Sequence, residues 1–217
     1  MEQIPFRVVI VGGGTAGWLA AHLLQMEAQS CKRDVDIKVV ESSRIPTVGV
    51  GEGTTAVFRE MLYRLGLDEN EFIVKTGATL KLGIRHREWL RKGHSYDGPI
   101  DDPNLLALSD RLPPGDQQSM LHIYAVSRGD KVSDHHLFGE LMKRDKVPFG
   151  IVDGDLVKAN PAEHAFHFDQ AKVGAFLRSK AEGIDIVDAD VEAVRRDGQT
   201  GNITQIVPGI SHQSQRM

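Results

Sequence analysis

One cysteine, Cys31, stands in 217 residues. An intrachain disulfide is therefore excluded, and so is a cysteine zinc site. A reducing cytoplasm is the expected setting. No apolar run approaches the length of a bilayer, which argues against a transmembrane helix and a membrane role. The N-terminal apolar stretch, Phe6 to Val11, contains Arg7 and runs straight into glycines, which does not read as a signal peptide. Positive charge is not in excess: 26 Lys and Arg face 30 Asp and Glu, for a net charge of -4. A broad electrostatic footprint for nucleic acid is not expected. Internal repeats, low-complexity tracts and clear linkers are missing as well. The hydrophobic share of 41% and the charged share of 26% suit a globular chain with a buried core and disfavour disorder.

Glycine is abundant, with 22 copies, many of them between Gly12 and Gly53. Phe6 to Val11 (FRVVIV) reads as a short buried parallel strand. Thr15 to Gln29 reads as a helix with Leu19, Leu23, Leu24 and Met26 on its apolar face. Val35 to Val40 is a second buried strand. Together these predict a right-handed βαβ unit on a parallel sheet. Further along, Val57 to Leu65 looks helical, Glu71 to Leu90 is ambiguous, and the proline-bearing Gly93 to Gly115 reads mostly as loop. Leu121 to Val126 fits a strand or a helix start. His135 to Lys143 fits a short helix, and Phe168 to Glu182 a better one, stopped by Gly183. Ile184 to Val187 reads as a buried strand, and DGQTGN between Val194 and Ile203 signals a hairpin. The fold expectation is α/β: a Rossmann-like parallel sheet with a βαβ unit and a β-meander. A single dinucleotide-binding domain over 1–217, with a helical and loop region inserted at about 56–165, is the expected organisation.

Gly12-Gly13-Gly14-Thr15-Ala16-Gly17 is G-x-G-x-x-G between a predicted strand and a predicted helix. Gly12 makes the tight turn, Gly14 admits a pyrophosphate to the backbone, and Gly17 lets helix and sheet pack closely. The helix N-terminus offers free N–H groups and positive dipole to phosphates. Glu41 ends the second strand, where a carboxylate can accept from ribose hydroxyls. A glycine turn that merely packs a helix is the plain alternative, but strand, helix and acidic residue all stand where nucleotide binding needs them. The pattern does not choose between FAD and NAD, and Glu41 argues against NADP, whose 2′-phosphate it would repel. Pro46 to Thr54 follows with alternating glycines, able to run flat beneath a planar ligand or to form a flexible surface loop. Lys81 sits in ATLKLGI, where desolvation can make an amine reactive, or from which the side chain can snorkel to water. His135, His136, His164, His167 and Asp169 lack a recognised ligand spacing, so no metal is expected.

GGGTAGW at Gly12–Trp18, ESSRIPTVGVGEGT at Glu41–Thr54 and ATLKLGI at Ala78–Ile84 resemble the flavin-dependent tryptophan halogenases. FHFDQAKVGAFL at Phe166–Leu177 and DADVEAV at Asp188–Val194 continue the likeness in the same order, to about Ile206. The resemblance implies FAD as cofactor, its pyrophosphate held by Gly12, Gly14, Thr15, Ala16 and Gly17 and its adenosine ribose by Glu41. Val48, Gly49, Val50, Gly51 and Glu52 would belong to a flavin-contacting strap that runs to Thr54, and Val191 would meet the adenine end through its backbone. Lys81 matches the family's catalytic lysine. A flavin reductase is the implied partner, supplying reduced flavin, and halide plus a small electron-rich aromatic such as tryptophan or indole are the implied substrates. Reduced flavin, oxygen and halide give hypohalous acid, which the lysine holds, directly or as a haloamine, beside the aromatic ring.

The family's Trp-x-Trp-x-Ile-Pro motif is absent, since Trp18 and Trp89 are the only tryptophans. The segment from residue 94 to 120 differs from tryptophan-specific members, which leaves the aromatic substrate open. Pro208 to Met217 reads as a polar end where the family continues with an apolar strand. The expectation is a sheet incomplete at the C-terminus, in a truncated chain that does not halogenate by itself. A non-catalytic FAD-binding remnant and another flavin-dependent aromatic monooxygenase are the alternative functions.

Overall fold

A computed structural model describes residues 6–101, 117–158 and 164–209. The chain divides into two compact units. The first comprises residues 1–52, 62–78 and 168–217, and the second comprises residues 53–61 and 79–167. In chain order, β1 (Phe6–Val11), α1 (Thr15–Ser30), β2 (Val35–Glu41) and β3 (Gly51–Gly53) lead to α2 (Ala56–Arg64) and α3 (Glu69–Thr76). Next come β4 (Thr79–Lys81), β5 (Gly83–Arg87), β6 (Ser95–Pro99), α4 (Gln117–Arg128) and α5 (Leu137–Lys143). The hairpin β7 (Phe149–Val152) and β8 (Asp155–Lys158) precedes β9 (Ala165–Asp169), α6 (Gln170–Ser179) and β10 (Asp185–Asp188). β11 (Val191–Arg196) and β12 (Ile203–Pro208) close the described chain.

In the first unit, β1, α1 and β2 form the expected βαβ unit. β1 runs parallel to β2 with Val8 opposite Ile37, and β10 runs parallel to the other edge of β2 with Ile186 opposite Val39. The order β1-β2-β10 makes β2 the central strand, and its Ile37, Val39 and Val40 are buried. β1 was expected to be buried, yet Phe6, Val9 and Val11 are exposed. The reason is its place at the edge of the described sheet, where β2 covers only one flank. A second difference concerns α1. Its buried side chains are Thr15, Trp18, Ala21 and His22, and not the leucine face read from periodicity; Leu24 is exposed. Those four share a face by their i, i+3, i+4 spacing. α6 decides the choice of face: His22 Nε2 lies 2.9 Å from the Leu177 carbonyl. Phe72 then packs edge-on to Phe168 and Phe176, and this aromatic trio joins α3 and α6 to the core.

Helix ends follow local chemistry. Asp68 caps α3 by accepting from the Glu71 N–H, and Gly77 closes it in the left-handed region at φ 67°. Asp169 caps α6 by accepting from Ala171 and Lys172 N–H groups. β11 and β12 pair antiparallel around the DGQTGN turn.

The second unit is built from hairpins and short helices. β5 pairs with β6, and β7 with β8, both antiparallel. The Gly93–Gly115 loop expectation thus meets a strand at Ser95–Pro99, while residues 102–116 lie outside the described residues. Leu121 to Val126 belongs to α4. β4 lies antiparallel to β9, with Lys81 opposite Ala165. Phe58, Phe138 and Phe166 are buried, and Phe58 meets Phe166 edge-on with ring centroids 6.3 Å apart. His164 is fully buried and packs its ring against Phe166. The polar end read at Pro208–Met217 lies mostly outside the described residues, which stop at Gly209.

Candidate functional site

The glycine turn sits at the carboxyl ends of parallel strands, where open α/β sheets form their ligand crevice. Gly12 has φ 113°, a conformation that side chains rarely adopt, and its N–H donates to the Val40 carbonyl at 2.8 Å. A Cβ on Gly17 would collide with the Gly12 carbonyl oxygen, so close helix–strand packing demands glycine there. Gly14 differs. A Cβ on it would meet nothing within 4 Å among the described residues, so its glycine answers to no described neighbour. Gly14 also stands at the N-terminus of α1, which has no side-chain cap and no acidic residue in its first turn. α3 and α6, by contrast, carry their own aspartate caps. The uncapped N–H groups of a 16-residue helix therefore open beside a glycine with space around it.

That space is a cavity of about 300 Å³. Gly12, Gly13 and Gly14 form one wall, Glu41 and Ser42 another, and Asp190 and Val191 a third. Hydrogen bonds hold these walls in register. The Ala189 N–H donates to the Glu41 carbonyl at 2.9 Å, and the Ser43 N–H donates to Asp188 Oδ1 at 2.8 Å. The Ser42 hydroxyl and the Arg44 guanidinium both engage the Asp190 carboxylate. Glu41 Oε1 accepts from Arg178 Nε at 2.5 Å.

Of the residues expected to hold a dinucleotide, Gly12, Gly14, Glu41 and Val191 meet around this one cavity. Thr15 is buried beneath the turn, its hydroxyl donating to the Gln170 carbonyl at 3.1 Å. Ala16 is exposed in the first turn of α1, and Gly17 packs on Gly12. The strap behaves differently: Ile45, Pro46 and Thr47 line the cavity, but Val48 to Glu52 do not. Val48 and Val50 are exposed, the Val50 N–H donates back to the Val48 carbonyl, and the Val50 carbonyl accepts from the Gln170 N–H.

Lys81 lies in the second unit with Gly53 and Thr54, the last residues of the strap. It is 9% exposed, and its Nζ donates to the Thr54 carbonyl at 2.8 Å. Thr54 is itself pinned to β9. Its N–H donates to the Phe166 carbonyl at 2.9 Å, and the Phe166 N–H donates to its hydroxyl at 3.0 Å. A Cβ on Gly53 would come within 3.4 Å of Lys81 Nζ and 3.3 Å of the His167 ring. Lys81 and His167 line a second cavity of about 450 Å³, together with Leu82, Arg85 and Met142. Arg85 is oriented there by a two-point contact with Asp97 at 2.7 and 3.2 Å. That hydrogen bond holds the Asp97 carboxyl below the ordinary carboxylate range and raises Arg85.

Residues 7–212 match the family model described as tryptophan halogenase. The chain belongs to the tryptophan halogenase family. Within that family it is 32% identical to the tryptophan 6-halogenase of Streptomyces toxytricini, over 94% of this chain and 41% of the relative. It is 34% identical to the 7-chloro-L-tryptophan 6-halogenase of Kutzneria sp. (strain 744), over 92% of this chain and 41% of the relative. Among solved structures, the Streptomyces toxytricini enzyme superposes with a TM-score of 0.75 at 30% identity, covering 95% of this chain and 42% of that one. A flavin-dependent halogenase from Xanthomonas campestris gives 0.73 at 28% identity, covering 95% and 39%. The chain thus spans about 40% of the length of the relatives it matches.

The sequence reading assigned no role to Gly13 or Arg178, placed Thr54 at the end of the strap, and weighed His167 only as a metal ligand. Arg178 lies 137 positions from Glu41, and no local pattern joins them. Lys81 opposite Ala165 in β4–β9 depends on pairing between strands far apart in the chain. Asp190 alone had a local signal, as the acidic residue of DADVEAV before Val191. Among the described residues, no group of three or more His, Cys, Asp or Glu is placed to hold a metal ion. No described helix is long and apolar enough to cross a membrane.

Proposed function

We propose that the chain carries the dinucleotide site and the catalytic lysine of an FAD-dependent halogenase acting on an electron-rich aromatic such as tryptophan or indole. One observation supports this reading above the others: Gly12, Gly14, Glu41 and Val191 border one cavity beside an uncapped helix N-terminus. The residues present fit FAD on the chemistry of the donor set. Backbone N–H groups of the turn suit a pyrophosphate, and the Gly14 position leaves room for its approach. Glu41 suits ribose hydroxyls, and the Val191 backbone suits an adenine edge. Val48 to Glu52 are the stretch we assign to the flavin ring. Val48 to Gly51 are exposed, which leaves their backbone accessible to a planar ligand.

Reduced flavin, bound here and supplied by a separate reductase, would provide hypohalous acid from oxygen and halide. The work assigned to this chain's own residues falls on Lys81. An ammonium carries three N–H donors. One is spent on Thr54, which leaves two to donate to the oxygen of hypohalous acid. Donation to that oxygen draws electron density from the halogen as the aromatic carbon attacks. The O–halogen bond breaks, a carbon–halogen bond forms, and the ring proton leaves with the hydroxide as water. Burial of Lys81 keeps competing water away from the amine. Gly53 leaves the space beside Nζ open.

The test is the purified protein with FAD, a flavin reductase, NADH, oxygen, bromide and an indole. FAD binding by the 217-residue chain, with brominated product only from a version extended to the relatives' length and lost there in Lys81→Ala, is the expected result. FAD binding without product, in this chain and in a version extended to the relatives' length, would favour the non-catalytic alternative.

A further inference from the structure

We propose that Arg178 is a positioning residue that holds the Glu41 carboxylate ready for the ribose hydroxyls of an adenine nucleotide, and that Gly13 is glycine to leave that carboxylate its place. This rests on the dinucleotide reading above. The fingerprint G-x-G-x-x-G leaves its second position free, so the motif does not explain Gly13. Glu41 does. A Cβ on Gly13 would overlap Glu41 Oε2 and crowd its Cβ and Cδ. The two carboxylate oxygens therefore have different surroundings. Oε1 accepts from Arg178 Nε at 2.5 Å, while Oε2 lies against the glycine turn that lines the cavity.

A free glutamate side chain samples several rotamers, and a ligand must freeze them on binding. Anchoring one oxygen in advance removes that cost and presents the other in one direction. The Glu41 side chain is mostly buried at 18% exposure, so the anchored geometry is also partly shielded from water. Arginine suits the task because its donors are fixed in a plane and it stays charged. Arg178 belongs to the last turn of α6, where a cation also complements the helix dipole. The experiment must therefore separate positioning from helix stabilisation.

Calorimetric titration of the 217-residue chain with ADP and with 2′-deoxy-ADP makes that separation. The wild type should prefer ADP by about tenfold, as one hydrogen bond to a charged group implies. Arg178→Gln should bring the ratio close to one while 2′-deoxy-ADP affinity holds, and Glu41→Gln should do the same. A stabilising role alone would weaken both ligands alike and keep the ratio, which would overturn the proposal. Gly13→Ala, which keeps both charged partners, should also collapse the ratio and serves if Arg178→Gln fails to fold. A wild type that binds neither ADP nor FAD would overturn the dinucleotide reading itself. Binding with an unaltered ratio in the variants would overturn only the positioning role.

Discussion

The Lys81 ammonium donates to the Thr54 carbonyl at 2.8 Å, so the buried amine and the end of the glycine strap are tied together directly. Lys81→Ala removes that donor, leaves the Thr54 carbonyl without it and opens a void. The expected cost is about 2–4 kcal/mol in urea unfolding. FAD affinity should stay within twofold, because Lys81 does not line the cavity bordered by the glycine turn. A stability equal to wild type would mean that the contact contributes nothing to the fold.

Gly14 and Gly17 should respond in opposite ways to the same substitution. Gly17→Ala drives a methyl into the Gly12 carbonyl and should lower stability by about 1–3 kcal/mol. Gly14→Ala meets open space and has an ordinary extended backbone, so the fold should keep its melting temperature. Its FAD affinity should nonetheless fall by about tenfold or more, because the methyl would occupy the pyrophosphate approach. Equal melting shifts for the two variants would contradict this division of roles.

The Arg44–Asp190 pair, joined by the Ser42 hydroxyl, clasps the chain after β2 to the chain before β11. Asp190→Ala should release this clasp and weaken FAD binding severalfold through a faster off-rate. Stopped-flow displacement of bound FAD measures it. An unchanged off-rate would show that the cavity keeps its shape without the clasp.

Acid should loosen the β5–β6 hairpin through Asp97. Its carboxyl is held below the ordinary range by the hydrogen bond from Arg85. The sign follows: the pair stabilises the fold above the unfolded-state carboxyl value, and the stabilisation is lost as pH falls through the lowered folded value. Arg85→Gln should therefore lower stability at neutral pH and flatten the acid limb of a stability-versus-pH curve. A parallel downward shift at every pH would point to packing instead.

The βαβ unit was legible because each of its signals is local. A β-branched run, a glycine turn and a helix period lie within residues 6–41, and backbone sterics act on neighbours along the chain. Glycine at positions 12 and 17 was readable for the same reason. The exposure of β1 and the buried face of α1 were not, because each depends on which surfaces other elements cover. α6 chose His22 over the leucines through the Leu177 carbonyl, 155 positions away. The second unit was the least legible, since its short hairpins carry weak periodicity and are stabilised by cross-strand pairs.

The same boundary runs through the candidate site. Sequence by itself determined which residue types stand at the glycine turn, at the end of β2 and at position 81, because motif spacing is a property of the chain. Only the tertiary structure decided that Arg178 takes one oxygen of Glu41, that Gly13 must yield to the other, and that Lys81 reaches Thr54. Those are contacts between residues far apart in sequence. They exist only once strand pairing and helix packing have brought their backbones within reach, and nothing in local periodicity encodes that proximity.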